Sequence, residues 1–176
     1  LAWWARQVQD PSNKTGVAIV LMGDQGAGKD IVAEMVVARV FGLDVATQNN
    51  DADILFGKHS LERENKVLCV LDEADAASLN PYMPHIKGSM VSSKMTFNPK
   101  NGTIYNLNCN INYMYTSNKQ IPVPIEASDR RYVVYHVNNS KKGNTEYFNN
   151  LLKTTFNPRA ARAFFQFLQK FDLSGY

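Results

Sequence analysis

The sequence lacks a long apolar run, is poor in cysteine and, over one stretch of fifty residues, contains no acid at all. Its longest uninterrupted apolar segment, Val17 to Met22, is far short of the roughly 20 residues that a membrane-spanning helix needs. A membrane partner is therefore not expected. The 2 cysteines, Cys69 and Cys109, are far apart in segments read as buried strands, which points to two core thiols rather than a disulfide or a metal pair. His59, His85 and His136 are equally scattered, and no zinc spacing exists. There is no internal repeat and no low-complexity segment, and the apolar share of 44% excludes disorder as the main reading. The chain begins at Leu1 without a charged leader or signal core, and reads as a piece of a longer protein.

The missing acids reveal a charge asymmetry hidden by the net of +3. Residues 1–75 sum to −5, residues 76–125 carry 4 lysines and no acid, and residues 126–176 sum to +4. A basic half suggests a polyanionic partner, with a solvated surface bias as the ordinary alternative.

Apolar patterning gives the elements. A short helix carrying Trp3 and Trp4 precedes a turn at Asp10-Pro11-Ser12-Asn13. Gly16 to Met22 has the composition of a strand covered on both faces, and Asp30 to Phe41 has helical spacing that stops at Gly42. Residues 43–66 give little periodicity apart from Ile54-Leu55-Phe56. Val67 to Leu71 is a second apolar strand. Lys94 to Phe97 and Thr103 to Leu107 flank the turn Asn98-Pro99-Lys100-Asn101-Gly102, a hairpin with a lysine at its tip. Ile111 to Tyr115 and Arg131 to Val137 are further strands. Two helices end the chain, the second opened by Asn157-Pro158 as cap and first turn.

Between the first strand and its helix stands Gly23-Asp24-Gln25-Gly26-Ala27-Gly28-Lys29-Asp30. In that context G-x-x-x-x-G-K is a phosphate-binding loop. Its backbone N–H groups converge on one point, the helix N-terminus adds positive potential, and Lys29 reaches the β- and γ-phosphates. The residue after the lysine is ordinarily Ser or Thr, whose hydroxyl binds Mg²⁺; here it is Asp30. A carboxylate is also a hard oxygen ligand for Mg²⁺, while favouring the first helical turn is the structural alternative. The strand Val67 to Leu71 delivers Asp72 and Glu73 at its end, the first suited to hold metal and the second to polarise water. Together the two motifs indicate nucleoside triphosphate hydrolysis. Asn118, after Tyr115-Thr116-Ser117, is placed either to orient water or simply to form a turn. Asp129-Arg130-Arg131-Tyr132 offers arginines that either pair with Asp129 or stabilise phosphate across a subunit boundary.

Taken in order, these motifs resemble the superfamily 3 helicases of the AAA+ class, in particular the helicase half of viral, phage and mobile-element primase-helicases. The pieces are Gly23–Asp30, Ile54-Leu55-Phe56-Gly57-Lys58, Val67–Glu73, Tyr115–Asn118, and Pro122-Val123-Pro124-Ile125 leading to Asp129-Arg130-Arg131-Tyr132. The resemblance implies an α/β fold: an AAA+ P-loop core with a mostly parallel sheet over residues 1–140, a basic hairpin insert at about 94–107, and a helical C-terminal segment over 141–176. It implies ATP at Gly23–Asp30 and Mg²⁺ at Asp30 and Asp72. Catalysis would fall to Lys29, Glu73, Asn118 and an arginine finger, Arg130 before Arg131. It further implies Lys94 and Lys100 on single-stranded DNA or a forked duplex, a homo-oligomeric, hexameric ring, a primase domain in the same full-length chain, and action at replication sites within a host cell. Two rivals share the motifs: an AAA+ ATPase that remodels protein or packages DNA, and an assembly module that binds nucleotide without hydrolysing it. Asp30 is the one motif residue favouring the latter.

Overall fold

The computed structural model describes residues 1–126 and 128–176. Five strands, β1 (Ala18–Met22), β2 (Ala46–Asn49), β3 (Leu68–Leu71), β6 (Asn112–Ser117) and β7 (Tyr132–His136), form one sheet in the order β2-β3-β6-β1-β7, with every pairing parallel. A separate antiparallel pair joins β4 (Lys94–Phe97) to β5 (Tyr105–Asn108). The helices are α1 (Ala2–Gln9), α2 (Lys29–Glu34), α3 (Ala52–Phe56), α4 (Ala76–Leu79), α5 (Met83–Val91), α6 (Thr145–Thr155) and α7 (Pro158–Lys170). The fold is α/β, with a parallel five-stranded sheet, a separate small antiparallel pair and helices.

A parallel sheet must be covered on both faces, and β1 and β3 are correspondingly apolar throughout, while β6 adds the buried polar residues Asn112, Thr116 and Ser117. Every residue of β3 and β6 is buried. Their side chains alternate. Cys69, Leu71, Tyr113 and Tyr115 pack on one face with Leu55, Phe56, Ile86 and Met90 from α3 and α5. Leu68, Val70 and Met114 pack on the other with Ala33, Val36, Val37, Trp4 and Phe164. Ala5, Val40 and Leu168 extend that second layer, so α1 and α7 lie together there. Asn157 caps α7 as expected, its side chain accepting from the Ala160 N–H at 2.9 Å, with Pro158 in the first turn.

Three expectations need correction. The helix read over 30–41 is α-helical only to Glu34; from Met35 to Phe41 it widens to a π-helix, closed by the Gly42 N–H on the Val37 carbonyl at 2.8 Å. Cys109 is buried but lies one residue beyond β5, not in a strand. The second arm of the hairpin starts at Tyr105, the first residue of that arm to pair across the hairpin, opposite Phe97. Both thiols are free, and burial pushes that of Cys69 up to about 12. Among the described residues no helix is long and apolar enough to cross a membrane.

Candidate functional site

All strands of the main sheet point the same way, so the segments that leave their C-terminal ends gather along one edge. β6 lies between β1 and β3. The loop after β1 and the acids after β3 are thus separated by two strand spacings, about 9–10 Å, with Thr116, Ser117 and Asn118 between them. The chain leaves β1 for the far edge of the sheet, and such a reversal of strand order opens a crevice at the strand ends.

Gly23 continues from β1, its N–H donating to the Ser117 carbonyl at 3.1 Å. Gly26 and Gly28 have φ of 79° and 92°, values that L side chains rarely adopt, and Gly28 caps the N-terminus of α2. The Lys29 side chain folds back over the loop. It is 4% exposed, and its Nζ donates to the Asp24 carbonyl at 3.3 Å. Two contacts come from residues that carried no role in the sequence reading. Lys142 forms a 2.7 Å ion pair with Asp24 and holds that carboxyl below its ordinary value, and the Phe148 ring lies so near Gly28 that a Cβ there would meet it at 2.7 Å.

At the end of β3 the two acids separate as expected of neighbours. Asp72 is half-buried, accepting from Gln48 Nε2 at 2.5 Å and from Thr116 Oγ1 at 3.1 Å. Burial pushes its carboxyl above the ordinary value; the two hydrogen bonds oppose the rise, and the charges of Asp30 and Glu73 add to it. Glu73 is exposed and has φ of 52°, a left-handed conformation uncommon for glutamate and of the kind retained where function requires it. Asn118 is exposed one residue beyond β6, at the mouth of the loop. Gln48 gave no signal because β2 gave none, whereas Thr116 stood inside the Tyr115–Asn118 motif without a role.

Lys29, Asp30, Asp72, Glu73 and Asn118 thus share one edge. Among the described residues no three acids, histidines or cysteines form a metal cluster. Magnesium suits such a place, since it takes one or two carboxylates and completes its shell with water and phosphate oxygens. The mutual repulsion of Asp30, Asp72 and Glu73 is what a divalent cation relieves, so the donor set fits.

A raised carboxyl pKa makes the ionised form a liability to the fold. That penalty is present at neutral pH and is relieved as pH falls through the raised folded value toward the ordinary one. Asp72→Asn, which can still accept from Gln48, is expected to raise the urea midpoint at neutral pH, with the gain vanishing at acid pH. A midpoint difference that does not change with pH would refute this account of Asp72.

The arginines lie elsewhere. Tyr132 pairs with Ala18 and His136 with Met22, so Arg130 and Arg131 precede β7 at the edge opposite the glycine loop, about 15 Å away along the strands. Arg131 is paired with Asp129 at 3.0 Å, and Lys87 shares that carboxylate at 3.1 Å. Arg130 is exposed. Lys94 and Lys100 are also exposed, on the small hairpin, while Phe97 is buried and stacked on Tyr105 at 5.7 Å, a packing role.

The chain is 29% identical over 142 residues to a protein of Nitratiruptor phage NrS-1 named DNA Primase-polymerase, covering 79% of this chain and 20% of that protein. It is also similar to solved apo structures of the NrS-1 C-terminal region. One gives a TM-score of 0.80 at 24% identity and another 0.75 at 25%, each covering 98% of this chain and 41% or 40% of the other. The chain therefore spans less than half of the proteins it matches. Residues 21–131, from the end of β1 to the arginine pair, match DUF5906, described as a family of unknown function, and the chain belongs to that family.

Proposed function

We propose that this chain is the ATP-hydrolysing helicase domain of a phage replication protein, a superfamily 3 member with an AAA+ P-loop core over residues 1–140 and a helical segment over 141–176. The observation that carries the reading is the strand order: it sets the Gly23–Lys29 loop and the Asp72–Glu73 pair on either side of the Thr116–Asn118 strand end. The likeness to a phage DNA primase-polymerase supports a role in viral DNA replication, alongside a primase domain in the same full-length chain.

On this reading ATP binds with its phosphates on the N–H groups of residues 23–30, and Lys29 turns from the Asp24 carbonyl to the β- and γ-phosphates. Mg²⁺, held at Asp72 and Asp30, supplies the charge neutralisation that a triphosphate requires. Glu73, exposed and without a side-chain partner among the described residues, polarises the attacking water, and Asn118 orients it. Arg130, too far from its own loop, stabilises transition-state charge on a neighbour's ATP, so hydrolysis requires a homo-oligomeric, hexameric ring. Lys94 and Lys100 grip single-stranded DNA at a fork. Phosphate contacts of that kind are sequence-independent and weaken with salt.

The test is ATP turnover by the chain with and without single-stranded DNA. Magnesium-dependent hydrolysis stimulated by DNA is expected, with the stimulation lost in Lys100→Glu. Turnover indifferent to DNA would shift the reading to an ATPase that remodels protein. The absence of turnover at concentrations where the chain oligomerises would sink it.

A further inference from the structure

A second concavity, remote from the glycine loop, is shaped by three segments that the sequence keeps apart. The residues around Phe56 and Arg63, the helix α5 and the strand β4 enclose about 610 Å³. The chain segment after α3 is tied to the hairpin by His59 Nδ1 and the Asn98 carbonyl, 2.7 Å apart. Lys58, Arg63, His85 and Lys94 all line this cleft, and among the described residues no carboxylate does.

The cations of this region divide sharply by what they already hold. Lys87 is occupied by Glu126 and Asp129, and Lys14 by the backbone carbonyls of Ser89 and Ser92. Lys58 and Lys94 are exposed and have no side-chain partner among the described residues. Arg63 is the least satisfied. Its guanidinium lies 5.3 Å over the Phe56 ring, Nη1 makes one long bond of 3.5 Å to the Tyr113 hydroxyl, and Nε is buried without a partner. A guanidinium offers five donors in a planar fork, and leaving most of them unused in a partly buried place is costly unless an anion completes it.

α5 contributes room as well as charge. Gly88 stands inside the helix with nothing within 4 Å of where a Cβ would be, although glycine there costs about 1 kcal/mol of helix stability relative to alanine. Beside it the Ser89 and Tyr113 hydroxyls are 2.6 Å apart. The wall next to the cationic groups is thus bare, as close approach of a bulky group requires.

We infer that this cleft binds a phosphate ester of a nucleic-acid strand, with the phosphate against Arg63 and with Lys58, His85 and Lys94 closing around it. This rests on the reading of the hairpin as a DNA-binding element and extends it: the strand passes from the exposed Lys100 tip into a pocket behind the hairpin. Arg63 sets the depth of the phosphate, and the three exposed side chains at the mouth add charge that salt can screen. The same chemistry would accept a free nucleotide, which the experiment separates from a strand.

The test is fluorescence anisotropy of a labelled oligothymidylate on the whole chain at low and high salt, for the parent, Lys58→Glu, His85→Glu and Lys100→Glu, with thermal unfolding as a check on folding. The mouth variants are exposed substitutions and spare the packed Arg63. Each is expected to weaken binding about tenfold or more at unchanged melting temperature, and Lys58→Glu to lower the salt dependence by about 0.7 for the lost contact. Mouth variants that bind like the parent while Lys100→Glu does not would overturn the cleft and leave the hairpin reading standing. No binding by the parent chain would overturn both. Thymidine monophosphate that displaces the probe from the parent, and is itself not bound by Lys58→Glu, supports the phosphate-ester site with a free nucleotide as its source.

Discussion

Lys29→Ala is expected to lower ATP turnover by about 10²–10³-fold, the usual effect of removing one positioned donor from developing negative charge, and to leave the fold intact. Lys29 is 4% exposed, and its ammonium holds only the Asp24 carbonyl at 3.3 Å. No ion pair to Lys29 is present among the described residues. A buried cation with so little compensation is a cost to the free protein. Removing it is therefore expected to keep or raise the urea midpoint while nucleotide affinity and turnover fall. That opposition separates a ligand-directed lysine from a structural one, whose loss would lower stability and activity together. Asp30→Thr, which restores a hydroxyl next to the lysine, is expected to retain hydrolysis. A folded Asp30→Thr chain that binds ATP and cannot turn it over would show that the carboxylate is indispensable where a hydroxyl ordinarily serves.

Arg130→Ala is expected to cost about 10³-fold or more in turnover, the range seen when an arginine finger is lost, without loss of ATP binding. Arg131→Ala should cost far less, because its guanidinium is already engaged by Asp129 at 3.0 Å. The decisive measurement is a mixture. If Arg130 acts on the next copy, inactive Arg130→Ala and inactive Lys29→Ala chains regain activity when combined, since a Lys29→Ala copy still offers Arg130 to a neighbour whose loop is intact. A mixture no more active than its components would mean that Arg130 works within its own chain or not at all.

What the sequence made legible follows from burial. β1 and β3 throughout, and β6 at Tyr113-Met114-Tyr115, are apolar because the sheet covers them on both faces, and the glycine loop and the acid pair were readable as the ends of such strands. The edge strand β2 was not readable. Ala46-Thr47-Gln48-Asn49 pairs only with β3 and has three polar residues out of four, so it carries no signature stronger than that of a loop. With it went Gln48, the partner that holds Asp72. The 76–91 region hid for another reason. Leu79, Met83, Ile86 and Met90 are buried at helical spacing, but Pro81 falls in the 3-10 turn that separates α4 from α5, and Pro84 and Gly88 are poor helix formers within α5 itself, so the sequence pattern is weak. The Arg63 cleft could not be read at all. It exists only because the fold brings residues 56–63 against residues 81–98, and no local pattern records that meeting.

The opposition of the two sheet edges has a consequence for symmetry. When one copy presents its arginine end to the loop end of the next, and successive copies keep the same orientation, the two surfaces in contact differ. Such a contact is heterologous. It satisfies every copy only by repeating until the rotation closes, and otherwise it leaves an incomplete site at each end of an open helical array. If Arg130 acts on a neighbour as proposed, the rotation per step, set by the surfaces around β7 and the glycine loop, decides how many copies complete the assembly.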